Sequence, residues 1–217
     1  ILLVTPADQA IVNQGAFSAA MQKSVSIAQS GAISILGIKP DSAKTGFGYI
    51  KASPITSSSP SQVGNDVECF VEKPDAKTAQ FYLEQGNYFW NSGMFVLKAS
   101  VWLAALKYFR SDIFVVTEKA WQHKRKDVAS NVTFIRPGEN DFAGIPAESI
   151  DYAVIEKCPG SNFPIKMVEL DAGWSDLGAW DAVWQVGKAD SGGNVATGDV
   201  LLSNVTSSYI HSSGRLV

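Results

Sequence analysis

Two spacings of apolar residues divide the chain. Short unbroken apolar runs stopped by Pro, Gly or a charge predict buried strands. They fall at residues 1–4, before Thr5-Pro6-Ala7-Asp8, at 34–38, before Pro40-Asp41, at 67–71, running into Glu72-Lys73-Pro74, at 94–97 and at 166–170. Apolar residues three and four apart predict helices. The first covers 16–29, with Phe17, Ala20, Met21 and Val25 in helical spacing and Gly31 as a stop signal. Others cover 75–85, with Ala79, Tyr82 and Leu83 on one face, then 101–108, 113–122, 149–157 and 181–186. Ser149 stands where it can cap the helix over 149–157. Residues 133–135 read as a short extended piece. The opening order of strand, helix, strand predicts an α/β fold: a Rossmann-like, mostly parallel sheet with flanking helices.

The pattern weakens in two places. Residues 53–65 are rich in Ser, Pro and Gly and predict a mobile surface loop. After about Lys188, Gly192-Gly193-Asn194 predicts a turn, and 199–205 and 208–211 predict short extended segments. The chain therefore reads as one domain over 1–187, incomplete at its N-terminus because the sequence opens inside a strand. A short C-terminal β segment follows over 188–217, as a linker, a first hairpin or the first coil of a β-helix.

Composition narrows the function. A hydrophobic content of 46% in 217 residues fills the core of one large domain. A net charge of -3 argues against a nucleic-acid partner. The short basic cluster His123-Lys124-Arg125-Lys126, followed by Asp127, reads as a solvated helix end. No apolar run is long enough to predict a helical membrane span, and no signal peptide is recognisable. Cys69 and Cys158 lie outside any metal-binding spacing, which predicts inert thiols in a reducing cytoplasm. Dinucleotide, P-loop, zinc-protease and serine-hydrolase signatures are all missing.

Several clusters could carry chemistry, and each has a plainer reading. Asp8 follows the first strand, where ligands bind in open α/β sheets and a carboxylate can hold Mg²⁺; it could equally cap the loop. Thr45-Gly46-Phe47-Gly48-Tyr49-Ile50 lets backbone approach a ligand between aromatic walls, or simply makes a tight turn. Glu72-Lys73 before Pro74 could offer an acceptor for sugar hydroxyls and a cation for phosphate, or be an exposed pair. Asn91 in Trp90-Asn91-Ser92-Gly93 suits a sugar hydroxyl, and also suits a turn. Asp176, set in a Gly- and Trp-rich loop, is a candidate second metal ligand.

In order, VTPADQ (4–9), TGFGYI (45–50), FVEKPD (70–75), WNSGMF (90–95), ESIDYAVIEK (148–157) and DAGWSDLGAWDAVW (171–184) resemble the successive motifs of mannose-1-phosphate guanylyltransferases. The resemblance covers nearly the whole chain. It implies the fold of nucleotide-diphospho-sugar transferases. It also implies a reaction in which GTP and α-D-mannose 1-phosphate give GDP-mannose and diphosphate. Asp8 and Asp176 would hold Mg²⁺, with Lys73 the third catalytic residue, facing the sugar phosphate. Glu72 and Asn91 would bind sugar hydroxyls, Gly48 and Tyr49 would line the pocket, and Asp151 would support its wall. The implied partners are GTP and mannose 1-phosphate, without nucleic acid or membrane, and a homo-oligomer is compatible.

The chain departs from the family pattern twice. Gln9 stands where the family carries His, so an acid-base role there is lost. The Gly-rich N-terminal segment that cradles the nucleotide is missing, so residues 1–217 alone are expected to be inactive. An inactive sugar-phosphate-binding homologue, a regulatory subunit, or an enzyme for another sugar phosphate are the alternatives.

Overall fold

The computed structural model describes residues 1–53 and 63–217, so most of the expected Ser-rich loop lies outside the described residues. The elements begin with β1 (Leu2–Val4), β2 (Ala10–Ile11), α1 (Gln14–Gln29), β3 (Ile33–Ile38), β4 (Gly48–Ala52), β5 (Asn65–Glu72) and α2 (Ala76–Gln85). Next come β6 (Tyr88–Leu97), α3 (Ala99–Phe109), α4 (Ser111–Gln122), β7 (Arg125–Ala129), β8 (Val132–Arg136) and α5 (Glu139–Ala143). Then follow α6 (Ile150–Ala153), a 3₁₀ turn (Ile155–Lys157), β9 (Ile165–Glu169), β10 (Trp174–Ser175), α7 (Trp180–Val186), β11 (Val195–Thr197) and β12 (Tyr209–His211). They form two compact units, one of residues 1–5 and 19–170, the other of residues 6–18 and 171–217. Among the described residues no helix is long and apolar enough to cross a membrane.

The first unit is built on a six-stranded sheet in the order β1-β6-β3-β9-β5-β4, with β6 also paired to β4. The α/β class holds, but the parallel character is narrower than expected. Among the described residues, β3 and β9 pair in parallel, while the other pairings of this sheet are antiparallel. The physical reason is that an unbroken apolar run reports burial on both faces and carries no information about strand direction. The core lies on the sheet face covered by α3, α4, α6 and the 3₁₀ turn. Ile33, Ile35, Ile50, Phe70, Phe95, Leu97 and Met167 pack there with Ala105, Leu106, Ile113, Val154 and Ile155.

Local rules explain the ends of several elements. The Asp75 carboxylate accepts from the Thr78 N–H and caps α2, and Gly86 closes that helix in the left-handed region. The Ser149 hydroxyl accepts from the Tyr152 N–H, as its position in the sequence predicted. His123 does close α4, but Arg125 and Lys126 open β7 instead of extending a helix end. Charged residues are tolerated there because the β7–β8 hairpin is largely solvent-exposed.

In the second unit, β2 and β10 form a short antiparallel pair. The predicted turn exists: Gly193 N–H donates to Asp190 O, and Asp190 N–H to Asn194 O. Residues 199–205 form no strand, and the extended segment is β11 instead, paired in parallel with β12. Parallel pairing rules out a hairpin between these strands. Buried Asn194 ties the connection between them to β11: its Nδ2 donates to Val205 O, and its Oδ1 accepts from the Ser208 N–H.

Candidate active site

A polar cluster forms in the first unit where β4, β5 and β6 run side by side. The register pairs Gly48 with Glu72, and Ile50 with both Phe70 and Phe89. Side chains alternate along a strand, so Gly48, Glu72, Phe70 and Asn91 share one face. A methyl group on Gly48 would run into Glu72 Oε2, and would lie 3.1 Å from Phe70 and 3.3 Å from Asn91 Cβ. Gly48 thus leaves room for the Glu72 carboxylate, which lies over its backbone beside Phe70 and Asn91.

Glu72 is nearly enclosed, with 10% of its side chain exposed, and its Oε1 lies 3.2 Å from Lys73 Nζ. A straight strand would send these neighbours to opposite faces. Lys73 avoids that by taking a left-handed backbone with φ 49°, a conformation that costs a non-glycine residue about 1 kcal/mol. Its N–H donates to Phe47 O, which ties the 45–50 loop to the end of β5. The ammonium remains 58% exposed. Its pKa is raised, first by its hydrogen bond to Glu72 and then by that carboxylate's charge.

Asn91 is held from two sides. Its Nδ2 donates to Asp151 Oδ1 at 2.9 Å, and its Oδ1 accepts from the Gly93 N–H at 3.1 Å. Asp151 arrives in the first turn of α6. Burial, followed by the nearby Glu72 charge, pushes its carboxyl up to about 6, against the opposing pull of the Asn91 hydrogen bond and of Lys73. A carboxyl raised in this way takes up a proton on folding. Its charge therefore weakens the fold above about pH 6, and the penalty disappears as pH falls below the ordinary carboxyl value near 4. Asp151→Asn, which can still accept from Asn91, is expected to melt higher than the parent at pH 8. The gain should be on the order of 1 kcal/mol after solvent screening and should vanish near pH 4. Thermal melts across that range check it.

The structure brings together Gly48, Glu72, Lys73, Asn91 and Asp151, but Tyr49 takes no part. It is fully buried, its hydroxyl donates to Lys44 O at 2.9 Å, and its ring lies 5.4 Å from that of Tyr82. Alternation is the reason: Tyr49 pairs with Val71 and Trp90 and points to the face opposite Gly48. Phe47 packs edge-on against Trp90 at 5.0 Å and walls the loop. A turn at Asn91–Gly93 ahead of a strand over 94–97 is not what forms: β6 already begins at Tyr88, and Ser92-Gly93 is a bulge inside it. Gly93 has φ 73°, and the β3–β6 register shifts opposite it. Small residues inside an otherwise apolar strand were the available signal.

Asp8 and Asp176 belong to the second unit. Ala10 pairs with Ser175, so Asp8, before β2, and Asp176, after β10, lie at the same end of this pair. The loop is pinned by the N–H groups of Val12 and Asn13, which both donate to Ala172 O. Asp176 is half-buried, and its Oδ1 accepts from the Gly178 N–H. The side chain of Gln9 accepts from the Trp174 indole N–H at 2.8 Å, a bracing contact that needs no titratable group. Among the described residues no group of three or more His, Cys, Asp or Glu could cage a metal. Two carboxylates suit Mg²⁺, which keeps several waters and takes its other oxygens from substrate phosphates.

The family model described as Nucleotidyl transferase matches residues 1–192. Mannose-1-phosphate guanylyltransferase of Escherichia coli (strain K12) is 38% identical over 217 residues, which is 100% of this chain and 44% of that protein. Xanthan biosynthesis protein XanB of Xanthomonas campestris pv. campestris (strain B100) is 41% identical, over 100% of this chain and 43% of that protein. The crystal structure of mannose-1-phosphate geranyltransferase from Thermus thermophilus matches with a TM-score of 0.75 and 25% identity, over 98% of this chain and 63% of that one. The chain spans less than half the length of these curated relatives. With most of its length matched by the family model, the chain belongs to the nucleotidyl transferase family.

Proposed function

We propose that the protein containing this chain is a mannose-1-phosphate guanylyltransferase. A phosphate oxygen of mannose 1-phosphate attacks the α-phosphorus of GTP in line. The bond to the bridging oxygen breaks and diphosphate leaves, giving GDP-mannose. The observation that carries this reading is the polar cluster over Gly48, where an acceptor (Glu72), an amide (Asn91) and an exposed cation (Lys73) converge. That set suits a sugar bearing both hydroxyls and a phosphate, and two curated relatives that match the whole chain, from Escherichia coli and Salmonella typhimurium, bear this activity in their names.

Each residue then has a task. Glu72 accepts from a sugar hydroxyl, and Asn91 donates to one. Lys73 exchanges its contact with Glu72 for the sugar phosphate. Asp151 holds the Asn91 amide in place. Asp8 and Asp176 are the residues that would hold Mg²⁺, which when bound neutralises charge on the reacting phosphates. Since such transfers rest on positioning and charge, no side chain here has to form a bond to substrate. We assign the reaction to the cytoplasm, where GTP is available.

The test is diphosphate release by the full-length protein. Release is expected with GTP and mannose 1-phosphate together, and only with Mg²⁺. Lys73→Ala should raise KM for mannose 1-phosphate about ten- to hundredfold, the worth of one hydrogen bond to a charged group. A folded protein that binds mannose 1-phosphate but turns over no nucleotide would sink the enzyme reading and leave a binding subunit. Turnover with a different sugar phosphate would sink the mannose assignment alone.

A further inference from the structure

The Ser92 side chain reaches neither pocket nor solvent, yet it sits beside the pocket amide. It is 1% exposed. Its hydroxyl donates to Leu36 O on β3 at 2.8 Å and accepts from the Met94 N–H at 3.3 Å. These two contacts span the bulge, because the β3–β6 register runs from Ile35 with Phe95 to Gly37 with Asn91. Gly93, at φ 73°, turns its N–H back to Asn91 Oδ1.

An amide side chain can face either way, and its partners decide. The Gly93 N–H can only donate, so it fixes the oxygen end of Asn91. The ionised Asp151 carboxylate can only accept, so it fixes the nitrogen end. The first of these partners exists only while the bulge keeps its shape. We propose that Ser92 is a positioning residue for the pocket, holding the bulge so that Asn91 presents an N–H donor to the ligand. The proposal rests on the sugar-phosphate reading of the pocket. It also separates position 92 from its neighbour: Asn91 touches the ligand, and Ser92 acts only through Asn91.

A double-mutant cycle on the full-length protein distinguishes this from a general packing role. Affinity for mannose 1-phosphate is measured by calorimetry for the parent, Ser92→Ala, Asn91→Ala and the double variant, with a melting temperature for each. Ser92→Ala should weaken binding about tenfold in the parent. In the Asn91→Ala background the same change should alter affinity less than about twofold, since the group it positions is gone. The melting temperature should fall in both backgrounds, because the Leu36 carbonyl and Met94 N–H lose their partner either way. Ser92→Cys, which keeps a weak donor in a similar volume, is carried through the same cycle so that misfolding of the alanine variant does not end the test. Equal losses in both backgrounds, or no loss in the parent, would overturn the Ser92 proposal while leaving the functional reading intact. A parent protein that does not bind mannose 1-phosphate would overturn both.

Discussion

Alanine at position 48 is expected to abolish useful affinity for the sugar phosphate while leaving the protein folded. The added methyl would collide with the Glu72 carboxylate and come within 3.3 Å of Asn91 Cβ, so it would push Glu72 out of its place beside Asn91. Gly48 is not among the residues with positive φ, so an alanine backbone is not strained there. The atom it meets is the far end of a side chain, which can swing away. The fold therefore loses little, and the site loses the aim of Glu72. Kd for mannose 1-phosphate should rise about a hundredfold or more, near 3 kcal/mol. The melting temperature should move by no more than about 2–4 °C, the equivalent of roughly 1 kcal/mol in a domain of this size. Calorimetry and a thermal melt read the two quantities separately. Unchanged affinity would show that the site does not need Gly48.

The second large effect concerns the carboxylates flanking the β2–β10 pair. Asp176→Asn is expected to lower kcat about 10²–10³-fold, the usual cost of removing one electrostatic element from a transition state. The apparent Mg²⁺ requirement should rise with it. Asparagine can still accept from the Gly178 N–H, so the loop should keep its shape. Asp8→Asn should behave alike. If the two act as one metal site, the double variant should be little worse than the poorer single one. Steady-state rates over a Mg²⁺ titration decide the matter, and full activity in Asp176→Asn would reduce the pair to a structural role.

What the sequence disclosed and what it hid follow from the reach of each signal. The apolar run of β3, the helical faces of α2 to α4 and the Ser149 cap are local features, and they stand where the pattern put them. Strand direction is not local. The placement of β6 between β1 and β3 depends on partners far along the chain, so the antiparallel pairings stayed hidden. In the pocket, Glu72, Lys73 and Asn91 were recognisable by type and motif. That Glu72 and Lys73 meet depends on one left-handed residue, which a lysine does not advertise. The exclusion of Tyr49 was readable by alternation once β4 was seen to begin at Gly48, but the two glycines around Phe47 disguised that strand as a turn.

The pairing of β3 with β9 bears on the order in which the molecule can be made. Ile33 meets Ile165 and Gly37 meets Glu169, so the sheet closes over most of the length of the first unit. Contacts so distant in sequence form slowly, because a long loop must be ordered before they repay it. On a ribosome adding about 5–20 residues per second, β3 waits at least several seconds for β9 to emerge. Asn91, whose partner Asp151 lies 60 residues further on, has a shorter wait of the same kind. Until β9 arrives an apolar strand lies with one side unpaired, and the nascent chain is open to aggregation. Raising the local helix propensity of α3 and α4 would not shorten that interval, whereas slowing synthesis once β9 has cleared the ribosome would give the sheet time to close before more chain arrives.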